Sequence, residues 1–164
     1  MIYLGIDPGL AGGIAHIGHD EQPHAQKMLD TMTDIFGYIH RLQARDIGSQ
    51  KHVRNVPVLR SDGMTWGPIA YIEKVASSPQ MGVKSAFTFG KGYGSLLMAL
   101  TAAGIPYTEV APAVWQKKMG CLSHGDKNVT KNRAQQLFPS IKVTHNIADA
   151  LLIAEYGRRK ELGL

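Results

Sequence analysis

Cysteine and long hydrophobic runs are both scarce in this sequence. Cys121 is the only cysteine among the 164 residues, which excludes an intrachain disulfide and a cysteine metal cage and indicates a reducing cytosol. No apolar run approaches the roughly 20 residues that a membrane-spanning helix needs. The first seven residues lack the basic start and the long apolar stretch of a signal peptide. Repeats, low-complexity tracts and linkers are also lacking, so we expect a single domain over residues 1–164, cytoplasmic or associated with the nucleoid.

Acidic residues are outnumbered by basic ones. The chain has 18 lysines and arginines against 13 aspartates and glutamates, and its formal net charge is +5. A basic domain suits polyanions, because each phosphate contact releases condensed counterions. The same excess is also found in proteins that bind nothing acidic, so charge by itself favours nucleic-acid binding only modestly.

Short apolar runs predict five β-strands. The first three are separated by short polar turns, one of them at residues 18–21, which implies antiparallel pairing because parallel neighbours need long crossovers. The last two alternate with helical patterns, which indicates an α/β fold with a mixed sheet. The predicted strands are residues 2–6, 12–17, 25–29, 69–73 and 107–110.

Apolar residues at helical spacing predict five helices. The first covers residues 32–42, with Asp30 or Thr31 as its N-cap. Residues 44–65 are polar and irregular, and we expect a surface excursion with a short extended piece at 56–59. The other predicted helices are residues 85–103, 112–118, 129–137 and 146–161.

Two acids end predicted strands and a third begins the last helix. Asp7 and Glu73 would lie at the carboxyl edge of the sheet, on adjacent central strands, where open α/β folds bind ligands. Asp149 begins a helix that must pack back onto the sheet. Each acid alone has an ordinary explanation as a turn residue, a solvated strand end or a helix-stabilising charge. Together they would repel unless a divalent cation bound them, and carboxylate oxygens suit Mg²⁺ or Mn²⁺.

The three acidic segments resemble the motifs of RuvC-type Holliday junction resolvases, which are RNase H-like proteins. The matching runs are IYLGIDPG at residues 2–9, IE at 72–73 and NIADALLIA at 146–154. The segments PAVW at 112–115, KNRA at 131–134 and LFP at 137–139 resemble phage-type and organellar relatives. The resemblance covers nearly the whole chain and is weakest between about residues 30 and 65.

The resemblance implies an RNase H-like α/β fold, with a five-stranded mixed sheet flanked by helices, that acts as a homodimer on four-way DNA junctions. It implies that Asp7, Glu73 and Asp149 are metal ligands and catalytic residues. Two Mg²⁺ or Mn²⁺ ions would support symmetric paired nicks with 5′-phosphate and 3′-hydroxyl ends. A compact lone nuclease of this kind is typical of a phage or prophage.

A fourth active-site position is open between two neighbours. Many resolvases have an acid or a histidine about one helical turn before the last aspartate, where this chain has His145 and Asn146. Residues i and i+4 share a helical face, so we favour His145 as a further catalytic residue that binds a metal or positions water.

Basic and aromatic residues supply candidate DNA contacts. Two phenylalanines, Phe87 and Phe89, open the long helix after Glu73 and are candidates for stacking on bases, although core packing is the commoner fate of phenylalanine. The glycines at positions 90, 92 and 94 of that helix suggest that another backbone approaches closely. The basic candidates are Lys84, Lys117, Lys118, Lys127, Lys131 and Arg133, of which the last three lie near a helix start that welcomes phosphate.

Other functions remain open at this point. An RNase H-like nuclease processing other branched DNA or RNA is the nearest alternative, and a catalytically inactive nucleic-acid-binding module is another. No Ser/His/Asp or Cys/His nucleophile arrangement is evident. An actin-like phosphotransferase also begins with a strand, an aspartate and a glycine turn, but it generally needs two domains.

Overall fold

The computed structural model of the chain describes residues 1–18, 22–46, 58–59, 65–76, 80–123 and 125–164. Its strands are β1 (Ile2–Asp7), β2 (Gly13–Gly18), β3 (His24–Lys27), β4 (Val58–Leu59), β5 (Thr65–Trp66), β6 (Ile69–Glu73) and β7 (Tyr107–Val110). Its helices are α1 (Met32–Asp46), α2 (Val83–Ala102), α3 (Pro112–Met119), α4 (Lys127–Leu137) and α5 (His145–Glu161). None of the helices in these ranges is long and apolar enough to cross a membrane.

Five strands form one mixed sheet in the order β3-β2-β1-β6-β7, and β4 pairs with β5 in a separate ribbon. The pairs β1–β2 and β2–β3 are antiparallel, whereas β1–β6 and β6–β7 are parallel. The predicted five-stranded mixed sheet is therefore confirmed. Because Ile6 pairs with Ile72 on neighbouring parallel strands, Asp7 and Glu73 end those strands side by side.

Each face of the sheet has its own hydrophobic core, because successive strand side chains point to opposite faces. On one face Leu4, Ile6 and Ile14 pack with apolar residues of α1 and α2. On the other face Ala15 and Tyr71 pack with buried residues of α3, α4 and α5.

Helix α5 contacts the sheet almost without intervening side chains. A Cβ atom at Gly5 would overlap the backbone of Ala150 and Ala154, and one at Gly157 would overlap the ring of Tyr71. Ten consecutive or near-consecutive residues of α5 are buried, so hydrophobic burial holds the helix on the strands. This contact places Asp149, one turn inside α5, over the end of β1.

Helix α1 begins directly after Thr31, one of its two predicted N-cap residues. The Thr31 hydroxyl oxygen accepts from the backbone N–H of Asp34 at 3.1 Å and donates to Asp34 Oδ2 at 2.6 Å, so Thr31 is the N-cap. The helix continues to Asp46, and the prediction that an irregular excursion begins at residue 44 is therefore wrong. The residues after Leu42 include good helix formers, which extend the helix beyond its last apolar position.

The remaining boundaries differ from the predictions by two residues or fewer. Strands β6 and β7 have the predicted bounds, and α4 begins two residues early because Asp126 Oδ1 accepts from Asn128 N at 2.9 Å. The extended piece predicted at 56–59 is present as β4 where the structure describes it. Most of the excursion, at residues 47–57 and 60–64, and the turn residues 19–21 lie outside the described residues.

Candidate active site

Three carboxylates from three elements meet on one side of the sheet. Asp7 and Glu73 end the adjacent strands β1 and β6, and both lie on the face that α5 covers. Asp149 is the fifth residue of α5, and all three side chains are half-buried. The structure therefore places the three acids that the sequence singled out within range of one another's charge.

The electrostatics show that these carboxylates repel one another. Burial, together with the charges of Asp149 and Glu73, raises the pKa of Asp7 to about 8. Burial also raises the pKa of Glu73, with a further contribution from Asp149. The pKa of Asp149 is raised mainly by its burial. A site of this kind stores unfavourable charge and is stabilised by any cation that enters it.

Lys127 is the nearest lysine charge to the acids. It is the first residue of α4, and its positive charge opposes the rise in pKa at both Asp7 and Asp149. Hydrogen bonding by the buried Thr130 of the same helix and the charge of His145 also lower the pKa of Asp149. Lys127 is exposed, so its ammonium group lies at the rim of the acidic site.

Trp115 holds one of the three carboxylates. Its indole Nε1 donates a hydrogen bond of 2.8 Å to Glu73 Oε2, which opposes the rise in the pKa of Glu73 caused by burial. The ring is fully buried in the core under α3. A donor fixed by packing fixes the direction of the acid that it binds, so Trp115 is a positioning residue for Glu73.

The donor set fits a hard divalent cation. Asp149 Oδ1 is buried and has no hydrogen-bond partner among the described residues, and such an atom is costly unless a cation or water meets it. Two aspartates and a glutamate are the ligands that Mg²⁺ prefers. In the described ranges no group of three His, Cys, Asp or Glu side chains is arranged to hold a metal ion, so the three acids do not form a ready-made coordination site.

The two candidates for the fourth position are placed differently. Asn146 donates from Nδ2 to the backbone carbonyl of Ala11 at 2.9 Å, which fastens α5 to the loop after β1. His145 is exposed at the first position of α5, one turn before Asp149, and its charge acts on that carboxylate. Asn146 has a structural contact, and His145 keeps the prediction of a further active-site group.

The basic residues predicted to contact DNA differ in their exposure and in their contacts within the protein. Lys84, Lys117 and Lys118 are exposed, and Lys131 is half-buried on α4. Arg133 donates from Nε to the carbonyl of Met119 at 2.8 Å and so joins α4 to the end of α3. Arg133 was predicted to contact phosphate, and the structure adds this bond within the protein.

The two phenylalanines also differ. Phe87 is 75% exposed, whereas Phe89 is half-buried and approaches Gly9, where a Cβ atom would lie 3.3 Å from its ring. Gly9 follows Asp7 by two residues, so Phe89 lies beside the loop after β1. The glycines at positions 90, 92 and 94 have nothing within 4 Å of an added Cβ atom in the described part of the chain.

Two contributors were not assigned any role from the sequence. Trp115 and Thr130 act through a hydrogen bond to an acid, and each is far from that acid along the chain. Both are buried on short helices, Trp115 fully and Thr130 at 3% exposure, and no pattern in the sequence predicted that burial. Cys121 is buried as expected, and its pKa is raised to about 11 by burial and by the charge of Asp149, so it remains a thiol behind the site.

Comparisons with known proteins support one fold. No family model matches the chain, and no curated protein matches its sequence. Among solved structures, Thermus thermophilus RuvC in complex with a Holliday junction substrate is similar at 17% identity and a TM-score of 0.57, covering 99% of this chain and 96% of that one. A second Thermus thermophilus RuvC structure is similar at 18% identity and a TM-score of 0.58, covering 99% and 97%. The predicted RNase H-like α/β fold is thus confirmed and is the fold of these RuvC structures, whereas the resemblance to phage-type and organellar relatives stays a prediction.

Proposed function

We propose that this protein is a metal-dependent endonuclease that resolves four-way DNA junctions. The observation that carries the proposal is the meeting of Asp7, Glu73 and Asp149 at the end of two parallel strands, each with a raised pKa. A similar fold in a protein that binds a Holliday junction substrate supports the choice of DNA substrate.

The chemistry follows from the arrangement of the acids. Asp7, Glu73 and Asp149 would hold Mg²⁺ or Mn²⁺, and Trp115 keeps Glu73 directed at the site. Two bound ions would supply an activated water and stabilise the leaving 3′-oxygen, which gives 5′-phosphate ends. Lys127 binds a non-bridging oxygen of the target phosphate, and His145 positions the water or a metal ligand beside Asp149.

DNA contacts extend outward from this site. The exposed lysines Lys84, Lys117 and Lys118 bind backbone phosphates, together with Lys131 on α4. Phe89, beside Gly9, is placed to stack on a base next to the target phosphate, and the exposed Phe87 extends that apolar surface.

We also propose that the active form is a homodimer formed through α2. Val83 and Met98 are exposed on this helix, and Gly90 and Gly94 lie between them at helical spacing with open space around them. A stripe of apolar residues and glycines admits the close approach of a second helix, and a second copy of the chain provides one. Symmetric nicking of a four-way junction requires two such sites.

The experiment uses three DNA substrates. Purified protein is incubated with a synthetic four-way junction, a Y-fork and a linear duplex, in Mg²⁺ or in EDTA, and the ends of the products are mapped. The proposal predicts paired symmetric nicks in the junction, none in EDTA, and none in Asp7→Asn, which should still bind the junction. Asp30→Asn is the matched control, because Asp30 is an exposed aspartate just before α1.

Each other outcome has a definite meaning. Cleavage of the Y-fork alone, or of RNA, would replace junction resolution by a general branched-nucleic-acid nuclease. Binding without cleavage in either Mg²⁺ or Mn²⁺ would identify an inactive binding module and refute the proposal. A monomer by light scattering in the presence of the junction, with unpaired nicks, would refute the dimer.

A further inference from the structure

A second polar cluster lies on the opposite face of the sheet from the acids. His16 of β2 pairs with His24 of β3, and their rings stack with centroids 5.2 Å apart. The hydroxyl oxygen of Tyr38, from α1, lies 2.9 Å from His16 Nδ1 and 3.4 Å from His24 Nδ1. His16 also pairs with Leu4, whose side chain lies in the core under α1 and α2, so the cluster is on the face that Asp7 does not share.

The cluster borders a cleft of about 620 Å³ between α1 and the edge strand β3. Its polar lining consists of His16, Gln22, His24, Gln26, Tyr38 and Arg41. These side chains supply a guanidinium group, two imidazoles, two amides and a phenol, and no carboxylate is among the described lining residues. A lining that carries a guanidinium group, with no carboxylate among its described residues, favours an anion over a cation.

Two lining groups are ready to donate to a ligand. Gln26 Nε2 is buried and has no hydrogen-bond partner in the described part of the chain. Arg41 is exposed, and no carboxylate of the described residues forms an ion pair with it. A planar guanidinium group beside an amide N–H matches the several acceptor oxygens of a phosphate.

The histidine pair adds a further donor. Tyr38 has one hydroxyl proton, so it can donate to only one of the two Nδ1 atoms that flank it. The ring that accepts this proton, if neutral, carries its own hydrogen on Nε2. When His24 is the accepting ring, its Nε2–H group therefore points away from Tyr38 and is a donor for a ligand in the cleft.

We propose that this cleft binds a phosphate ester, with Arg41, His24 and Gln26 as the phosphate contacts. A volume of about 620 Å³ is much larger than one phosphate group and is in the range of small-molecule sites, so the rest of the ester fits beside Tyr38 and Leu42. The ester is a free mononucleotide or a phosphate of the DNA backbone, which share this chemistry. The site is separate from the carboxylates, and the proposal holds whether or not the protein is a nuclease.

The test measures binding in EDTA, so that no metal at the acidic site contributes. Titration calorimetry with dAMP, with inorganic phosphate and with a short DNA duplex is carried out on the wild type, Arg41→Gln, His24→Gln and Lys142→Gln. Arg41 and His24 are exposed, so their variants should fold, and the exposed Lys142 is a matched loss of charge outside the cleft. Losing a charge-assisted hydrogen bond should weaken binding about tenfold or more in Arg41→Gln.

The outcomes separate the two sources of phosphate. Binding of dAMP that is weakened in Arg41→Gln and His24→Gln, and kept in Lys142→Gln, supports a site for a free nucleotide. Binding of duplex alone, with the same pattern among the variants, supports a site for backbone phosphate. The proposal is overturned if no phosphate compound binds the wild type, or if Arg41→Gln and Lys142→Gln bind every ligand alike. If the wild type binds dAMP but does not cleave the junction, the proposed nuclease activity is refuted and the phosphate site is supported.

Discussion

Replacing Asp7 by asparagine should make the metal-free protein more stable, although the same change should abolish cleavage. In the folded chain the pKa of Asp7 is raised from 3.8 to about 8 by burial and by the charges of Asp149 and Glu73. The folded state therefore binds this proton more tightly than the unfolded state does. As pH rises above 3.8, the ionised carboxylate costs the fold free energy, and the cost reaches its full size above about pH 8.

The size of this effect can be worked from the shift. A pH of 7 lies about three units above the ordinary pKa of an aspartate, and each unit corresponds to about 1.4 kcal/mol. The free-energy cost of the ionised carboxylate at pH 7 is therefore at most about 4 kcal/mol. Relaxation and the remaining solvent contact of this half-buried group reduce that figure, and we expect about 2 kcal/mol. Asparagine has nearly the same shape and no charge, so Asp7→Asn should raise the melting temperature by roughly 4–8 °C.

Calorimetric unfolding at pH 7.5 and at pH 5 in EDTA measures the effect, with Asp30→Asn as the control for an exposed aspartate. The gain should be larger at pH 7.5, because less of the penalty is present at pH 5. Adding Mg²⁺ should stabilise the wild type and should have little effect on Asp7→Asn. An Asp7→Asn protein that melts at or below the wild-type temperature in EDTA at pH 7.5 would refute the repulsion on which the metal-site argument depends.

Three further predictions concern the support of the site and of the fold. Trp115→Phe removes the hydrogen bond to Glu73 but keeps an aromatic ring, so cleavage should fall by about 10- to 100-fold, with the fold retained by circular dichroism. The control is Tyr156→Phe, which removes the polar group of another buried aromatic residue, on α5. Equal activity of the two variants would contradict the positioning role of Trp115. Glu155→Gln should lower the free energy of unfolding by about 3 kcal/mol, because it breaks a buried carboxylate that Arg158 and Arg159 bind at 2.7 to 2.9 Å. Burial alone would raise the pKa of Glu155, but the two arginines outweigh it and lower the pKa, so this stability should be present above the unfolded-state pKa and lost as pH falls through the folded-state pKa. Chemical unfolding from pH 3 to 7 should therefore show that the unfolding free energy of Glu155→Gln depends less on pH than that of the wild type. An unchanged pH dependence would contradict the role of this ion pair. Gly5→Ala should destabilise the fold by about 3 kcal/mol or more, because its methyl group meets the backbone of α5. The control is Gly92→Ala, since an added methyl group at Gly92 has open space around it. Equal melting temperatures of the two variants would show that α5 does not contact Gly5.

Much of the architecture was predictable because it depends on local patterns. Residues 69–73 and 107–110 are short apolar runs between turn residues, and both strands have the predicted bounds. The meeting of Asp7 and Glu73 followed from a rule about parallel strands, which end at the same edge of a sheet. These inferences need only the order of the elements and the direction of each strand.

The rest depended on contacts between distant parts of the chain. The hydrogen bond from Trp115 to Glu73 joins residues 42 positions apart, and it depends on the angle at which α3 packs. Lys127 was expected to contact DNA, but its charge beside Asp7 depends on the tilt of α4, which no periodicity encodes. The cluster of His16, His24 and Tyr38 was not predicted, for the same reason.

The contact between Gly5 and α5 also limits how the site can change. A helix separated from a sheet by long side chains can slide or rotate by small rotamer changes, but here backbone touches backbone at Gly5 and a glycine meets the Tyr71 ring at the other end. The distance between the carboxylates of Asp7 and Asp149 is therefore set by main-chain packing and varies little with surface sequence. Variation in substrate preference among proteins built this way should arise in the loops and in α2, α3 and α4, while the spacing of the acids stays constant.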